Sequence, residues 1–299
     1  VGSTYDLPGF LSDIKLRATR SRDIRAPSLS ELFTGFSQSR GSVIDPFRPG
    51  NVTVNIQSYT GGNPNLTPET ADTTAVGVVY RPSWLPGLSG SIDYYDIQIT
   101  DAIGTINAQN TVDRCFQGNT ALCNQITRDA QGSIIGVYVN NLNIAALETS
   151  GFDIEANYRR DIDNPFGDGA MTLGVRMFAN YVEKFRTFDG VGAPVDTTGS
   201  LVNQQPQWTA QALWFAQAGP YQLSITNRYV GGGVYSAAFE PDHPSYVPNA
   251  IENNRVGSTV YTHLNLKYDF ETLGADAEVF LNVNNVFDTK PPYGFAFNY

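Results

Sequence analysis

The chain has 299 residues, of which 12% are aromatic and only 16% charged, with a formal net charge of −10. That acidity excludes a phosphate-backbone partner, so no nucleic-acid role is expected. No run of about eighteen apolar residues occurs, so no membrane-spanning helix is available, but spans by short alternating strands remain open.

In chain order, the recurring pattern is an apolar residue at every second position. It is weak at 14–20, 72–81, 90–100 and 207–216. It is clear at Phe152, Ile154, Ala156 and Tyr158; at Met171, Leu173, Val175, Met177, Ala179 and Tyr181; and at Tyr221, Leu223 and Ile225. Two more rows are Val260 to Phe270 and Ala277 to Val283. Nine strands are predicted, from about 12–22 to about 276–287. Within 90–100 the phase changes between Tyr94 and Tyr95, which predicts a bulge.

The connections alternate in length. Long polar stretches at 24–71, 102–144, 187–205 and 234–256 alternate with short turns at 82–89, 161–168, 219–220 and 271–275. Up-and-down membrane barrels have this asymmetry, with short turns periplasmic and long loops extracellular. Tyr80, Trp84, Tyr158, Trp214, Tyr221, Tyr268 and Phe270 fall by the short turns, and Tyr181, Trp208 and Tyr229 by the long ones. Two aromatic girdles at the membrane interfaces are the expected result. The fold class read from this is all-β: a single domain over 1–299, part of a transmembrane antiparallel up-and-down barrel. Nine is an odd number of strands, so a closing strand is expected to be missing, with Tyr299 in an outer loop. There is no initial Met or leader, and the chain reads as a mature or excised fragment.

Four segments carry a family resemblance. They are Arg17 to Phe33, with its Arg-Ala-Pro-Ser-Leu-Ser-Glu-Leu-Phe run; Asn65-Leu-Thr-Pro-Glu-Thr70; Glu148-Thr-Ser-Gly-Phe-Asp-Ile-Glu155; and Val283-Asn-Asn-Val-Phe-Asp-Thr-Lys-Pro-Pro292. Together they resemble the barrel of TonB-dependent outer-membrane receptors. The resemblance implies a barrel of about twenty-two strands, with strands 13 to 21 present here. It also implies energised uptake of a ferric siderophore, cobalamin, haem or an oligosaccharide. The implied partners are membrane lipid and lipopolysaccharide, the protein's own plug domain, the TonB complex and the solute. The family's plug, TonB-contacting motif and last strand are not seen in this sequence. The rivals are a secreted all-β carbohydrate-binding or carbohydrate-active protein, which would bury its apolar rows between two sheets, and a passive porin.

Candidate residues follow from placement. Arg17, Arg20, Arg22 and Arg25 are expected to face the lumen or plug or to stand at the rim, since alternation points some inward and leaves the others at the rim. Phe36, Arg40, Tyr59, Tyr138, Tyr235, Phe239, Asp242, His243 and Tyr246 lie in long loops, where aromatic and polar groups suit solute capture. Cys115 and Cys123, with seven residues between them, are expected to form a disulfide stapling an extracellular loop, worth about 2–3 kcal/mol. A metal site would need more Cys or His nearby. Asp161, Asp163, Asn164 and Asp168 do not match a calcium loop, because Pro165 takes a ligand position. No nucleophile elbow, triad or paired carboxylates stand out, so no catalytic residue, metal or cofactor is expected.

Overall fold

The computed structural model describes residues 1–9, 12–188, 193–202, 205–243, 246, 248, 251–272 and 274–292. In chain order the elements are β1 (Gly2–Asp6), β2 (Ile14–Arg25), α1 (Leu29–Phe33), β3 (Ser37–Asp45), β4 (Val52–Gly61), β5 (Glu69–Tyr80), β6 (Leu88–Thr105), α2 (Ala108–Phe116), α3 (Thr120–Cys123) and β7 (Ile126–Arg128). They continue with β8 (Ile134–Asp163), β9 (Ala170–Phe188), β10 (Val195–Asp196), β11 (Trp208–Ala218), β12 (Tyr221–Val230), β13 (Gly233–Val234), β14 (Arg255–Val256), β15 (Thr259–Thr272) and β16 (Ala275–Val283).

One antiparallel wall runs β1-β2-β5-β6-β8-β9-β11-β12-β15-β16. All nine predicted strands are in it, and all the long connections lie at one end of the wall. The tenth wall strand, β1, was not predicted. Its sequence Gly-Ser-Thr-Tyr-Asp has no apolar alternation and it is exposed throughout. Backbone pairing of Gly2 through Asp6 with Thr19 through Lys15 makes it a strand. The stop at Tyr299 lies outside the described residues.

The bulge expected near Tyr94–Tyr95 is absent: β6 keeps its register with β8 without a break from Leu88 to Ile99. Register shifts occur instead around Ala102, and between Ser150 and Gly151 in the β8–β9 pair. The phase change at Tyr95 is a change of surroundings, not of backbone. Apolar residues move to the other face of the wall once the strand passes the row containing Tyr94.

Two faces follow from the register. Leu16, Val78, Ile92, Ile154, Ala179, Ala210, Tyr229 and Val260 pair in sequence across eight strands, an unbroken apolar row. One residue along, Arg17, Gly77, Asp93, Asp153, Asn180, Thr209, Val230 and Thr259 pair likewise on the opposite face. No second sheet covers the apolar face among the described residues. Leu16, Val76, Val78, Ile92, Met177, Trp214, Leu223, Val260, Leu266, Val279 and Leu281 are all exposed.

The buried core lies elsewhere, in the first two long connections. The β3–β4 hairpin pairs, through β4, in parallel with the first residues of β8, and β7 adds on the far side. Val43, Ile56, Val112, Ile134 and Val137 form its core, with α2 packed on one face. The 24–71 and 102–144 stretches are therefore one folded loop unit and not irregular chain.

Candidate functional site

The wall's apolar face is built for a hydrocarbon solvent. Tyr94 packs on Phe152 at 5.2 Å, Phe152 on Tyr181 at 6.4 Å, and Tyr181 on Trp208 at 4.7 Å, an aromatic belt across four strands. At the short-turn end Trp84 Nε1 donates to the Tyr80 hydroxyl at 3.2 Å, and Tyr221 stacks on Tyr268 at 4.8 Å. On β9 the ten steps from Met171 to Tyr181 cover about 25 Å at a 40° tilt, the height of a bilayer's apolar band. Asn227 interrupts the apolar face. Its amide accepts from Trp214 Nε1 at 3.1 Å and donates to Thr262 Oγ1 at 2.9 Å, which satisfies it without water. No helix among the described residues is long and apolar enough to cross a membrane, which says nothing against crossing by strands.

The opposite face is polar and cross-linked. Arg17 Nε donates to Asp93 Oδ1 at 2.6 Å, Arg176 pairs with Glu155 at 3.2 Å, and Asn180 donates to Asp153 at 2.8 Å. Lys267 bridges Asp269 and Glu278 at 3.1 and 2.7 Å. A cavity of about 650 Å³ opens over Arg17, Asp93, Glu155, Asn180, Gln211 and Arg228.

Period two divides the four arginines expected at the lumen or rim. Arg17 and Arg25 are on this polar face. Arg20 and Arg22 are not: they have the parity of Leu16 and Ala18 and stand on the apolar side, beyond the belt. Ala18, Val76 and Tyr94 share the belt's row, so Arg20 and Arg22 clear the apolar band, and Arg22 pairs with Asp72 at 2.8 Å. Arg25 forks between Glu69 at 2.6 Å and Glu31 at 3.1 Å. Glu31 also closes a capping box on α1, accepting from the Ser28 backbone at 2.7 Å. Arg25 and that backbone amide hold its carboxyl down at about 2.

In the loop unit, Cys115 and Cys123 are bonded, with Cα atoms 4.7 Å apart, joining α2 to α3. Asp45 is fully buried and takes two bonds from Arg128, at 2.8 and 3.2 Å. Burial pushes the Asp45 carboxyl up, but Arg128 and the Phe47 amide outweigh it, and the net shift is downward. Arg128 also lies over the Phe47 ring at 4.7 Å.

Four of the nine loop candidates meet on the other face of this sheet. Tyr59 and Tyr138 are register partners and stack at 4.9 Å, with Phe36 edge-on to Tyr138 at 5.8 Å. Arg40 is paired in register with Gln57, which accepts from Gln38 Nε2 at 2.7 Å. Tyr235 and Phe239 form a separate parallel pair at 6.5 Å in the fourth long connection. Asp242 and Tyr246 are exposed there and His243 is half-buried, and the geometry does not join them to the first cluster. Gln38 and Gln57 were missed. The alternation of Val52, Val54 and Ile56 with Asn55, Gln57 and Tyr59 marks that strand within a stretch read as loop.

The TonB dependent receptor-like β-barrel family model matches residues 1–286. A ferric enterobactin receptor from Pseudomonas aeruginosa (PfeA), solved with enterobactin, superposes with a TM-score of 0.59 at 17% identity, covering 96% of this chain and 34% of that one. The siderophore receptor PirA from Acinetobacter baumannii gives 0.53 at 14% identity, covering 93% and 37%. No curated protein matches. The chain thus spans about a third of the length of these solved receptors.

Proposed function

The chain belongs to the TonB-dependent receptor-like β-barrel family, and from that premise we propose that it builds part of the wall and outer loops of an outer-membrane receptor taking up a scarce, large solute. The solute is a ferric siderophore, cobalamin, haem or an oligosaccharide. The observation that carries this reading is a one-layer wall, apolar and belted on one face and hydrogen-bonded on the other, topped at one end by a loop unit with its own core. In this reading the apolar face meets lipid and lipopolysaccharide. The long connections are extracellular and the short turns periplasmic. Arg17, Arg25 and their partners face the protein's plug domain, and TonB drives passage. The protein works as a receptor and transporter, not an enzyme.

A secreted carbohydrate-active protein would bury the apolar rows between two sheets, and the wall's exposed apolar face counts against it. A passive porin needs no folded loop unit to capture its solute. The test uses the full-length protein in its outer membrane, measuring uptake of labelled ferric siderophore, cobalamin, haem and oligosaccharide with and without a proton-motive force. Accumulation of one of them that collapses on adding an uncoupler is expected. Uptake of all four that is indifferent to the uncoupler would sink the energised mechanism.

A further inference from the structure

The loop unit presents one face that its own fold does not use. Core residues Val43, Ile56 and Val137 point to α2, so their neighbours in the period-two pattern point away. On that outward side Tyr59, Tyr138 and Phe36 form a connected ring cluster, and Phe36 is 60% exposed. The backbone beneath them is glycine. A Cβ on Gly61 would come within 2.6 Å of the Phe36 ring, and one on Gly136 within 3.2 Å of the Tyr59 ring. The missing side chains let both rings rest against the sheet.

Around the rings are hydrogen-bonding groups and little charge. The Gln38–Gln57 amide pair borders the rings. Arg40 is exposed and forms no ion pair among the described residues. With Arg40 its only charged member, this cluster is no seat for a polyanionic chelate, which needs several cations, the more so on a chain of net charge −10. An exposed phenylalanine ring beside two half-buried tyrosines, with amides and one cation around them, suits a neutral, flat-faced, hydroxyl-rich ligand.

We propose that this face is a saccharide platform: Tyr59, Tyr138 and Phe36 stack on pyranose rings of a neutral oligosaccharide, whose hydroxyls bond to Arg40 and the Gln38–Gln57 amides. The proposal rests on the receptor reading above and narrows its solute to one class.

The test is calorimetric titration of the full-length receptor in detergent with maltohexaose, cellohexaose and xylohexaose, and separately with ferric enterobactin, cobalamin and haem. Binding of at least one hexasaccharide is expected. Tyr59→Ala and Tyr138→Ala should each weaken it by about tenfold or more, whereas Tyr59→Phe, which keeps the ring, should stay within about threefold. These side chains lie opposite the loop core, and heat-shifted gel mobility verifies that each variant barrel is folded. Gly136→Val, which pushes the Tyr59 ring off the sheet without removing it, should weaken binding as well. If no hexasaccharide binds, or if binding is unmoved by both alanine variants, the inference is overturned. Binding of ferric enterobactin, cobalamin or haem alone overturns it too, yet leaves the receptor reading standing. Binding of none of these solutes or sugars overturns both.

Discussion

Arg17 on β2 reaches over a whole intervening strand to Asp93 on β6. The residue between them in the cross-strand row is Gly77, and a Cβ there would lie 1.9 Å from Asp93 Oδ1. The ion pair therefore depends on the absence of a side chain on β5. Both partners are partly exposed on the polar face, so screening keeps the pair weak.

A double-mutant cycle on Arg17→Ala and Asp93→Ala in the full-length receptor should give a coupling of about 0.5 kcal/mol in urea unfolding. In a Gly77→Ala background the same cycle should give none, because Asp93 must turn away. A coupling that survives Gly77→Ala would show that the pair does not use the glycine gap.

Asp45 and Arg128 pose the opposite case, a carboxylate wholly removed from water and neutralised by one guanidinium. Arg128→Met should loosen the loop unit by about 3 kcal/mol at neutral pH, because an uncompensated charge is left buried. The pH dependence changes sign with the substitution. In the native protein the Asp45 pKa is lowered by folding, so its contribution is present above the ordinary carboxylate range and lost as pH falls. With Arg128 gone, burial, the largest single influence on Asp45, is opposed only by the Phe47 amide and Arg48, so the variant's loop unit should regain stability as pH falls and Asp45 takes up a proton. Protease nicking within 37–45 and 126–137, followed from pH 7 to pH 4, distinguishes the two slopes. Parallel slopes would remove Arg128 as the cause.

Glu31 gives a pH prediction that needs no substitution. Its carboxyl sits at about 2, below the 4.5 of a free glutamate, held by Arg25 and the Ser28 amide. Folding has lowered the pKa, so the contribution to α1 is complete above 4.5 and disappears as pH falls through about 2. Amide exchange in 28–34, corrected for its intrinsic pH dependence, should be flat from pH 7 to about pH 5.5 in the native protein and rise as pH falls below 4.5. Glu31→Gln should raise exchange throughout that range, since it breaks the capping box and both Arg25 contacts. Equal protection in the two proteins would mean the box carries no weight.

How much of this was legible follows from what each residue faces. Strands with one side in hydrocarbon and the other in a polar interior must alternate, so Met171 to Tyr181 or Val260 to Phe270 announce themselves. The strand Gly2–Asp6 has a single aromatic, Tyr5, and no alternation, and is specified by its neighbour's backbone. The hairpin at 37–61 alternates, but its polar side chains hid it in a run that loop length alone made into a loop. Its parallel pairing with β8 joins residues 79 apart, Gln57 and Gly136, which no local pattern encodes. The same rule of two says that only some of the four arginines turn inward. Counting from Leu16 would have placed Arg20 and Arg22 on its side.

The aromatic belt is a boundary on that side, and it makes the sharpest test of the membrane assignment. Ile92 and Gln98 share one face of β6 on either side of the belt residue Tyr94, Ile92 two residues within it and Gln98 four residues beyond. Ile92 pairs with Ile154 and is 54% exposed to whatever surrounds the barrel. In hydrocarbon a charge there should cost about 2–4 kcal/mol at mid-depth, falling towards zero at the interface. Ile92 is about 5 Å inside the belt, so Ile92→Arg should destabilise the receptor in liposomes by about 1–2 kcal/mol in reversible guanidinium unfolding. Gln98→Arg, among Glu148 and Asp72, should be neutral within about 0.5 kcal/mol. A surface in water would give two small values, because an exposed arginine is at home on any solvated strand. Equal costs at the two sites would therefore refute the lipid-facing assignment of the apolar rows.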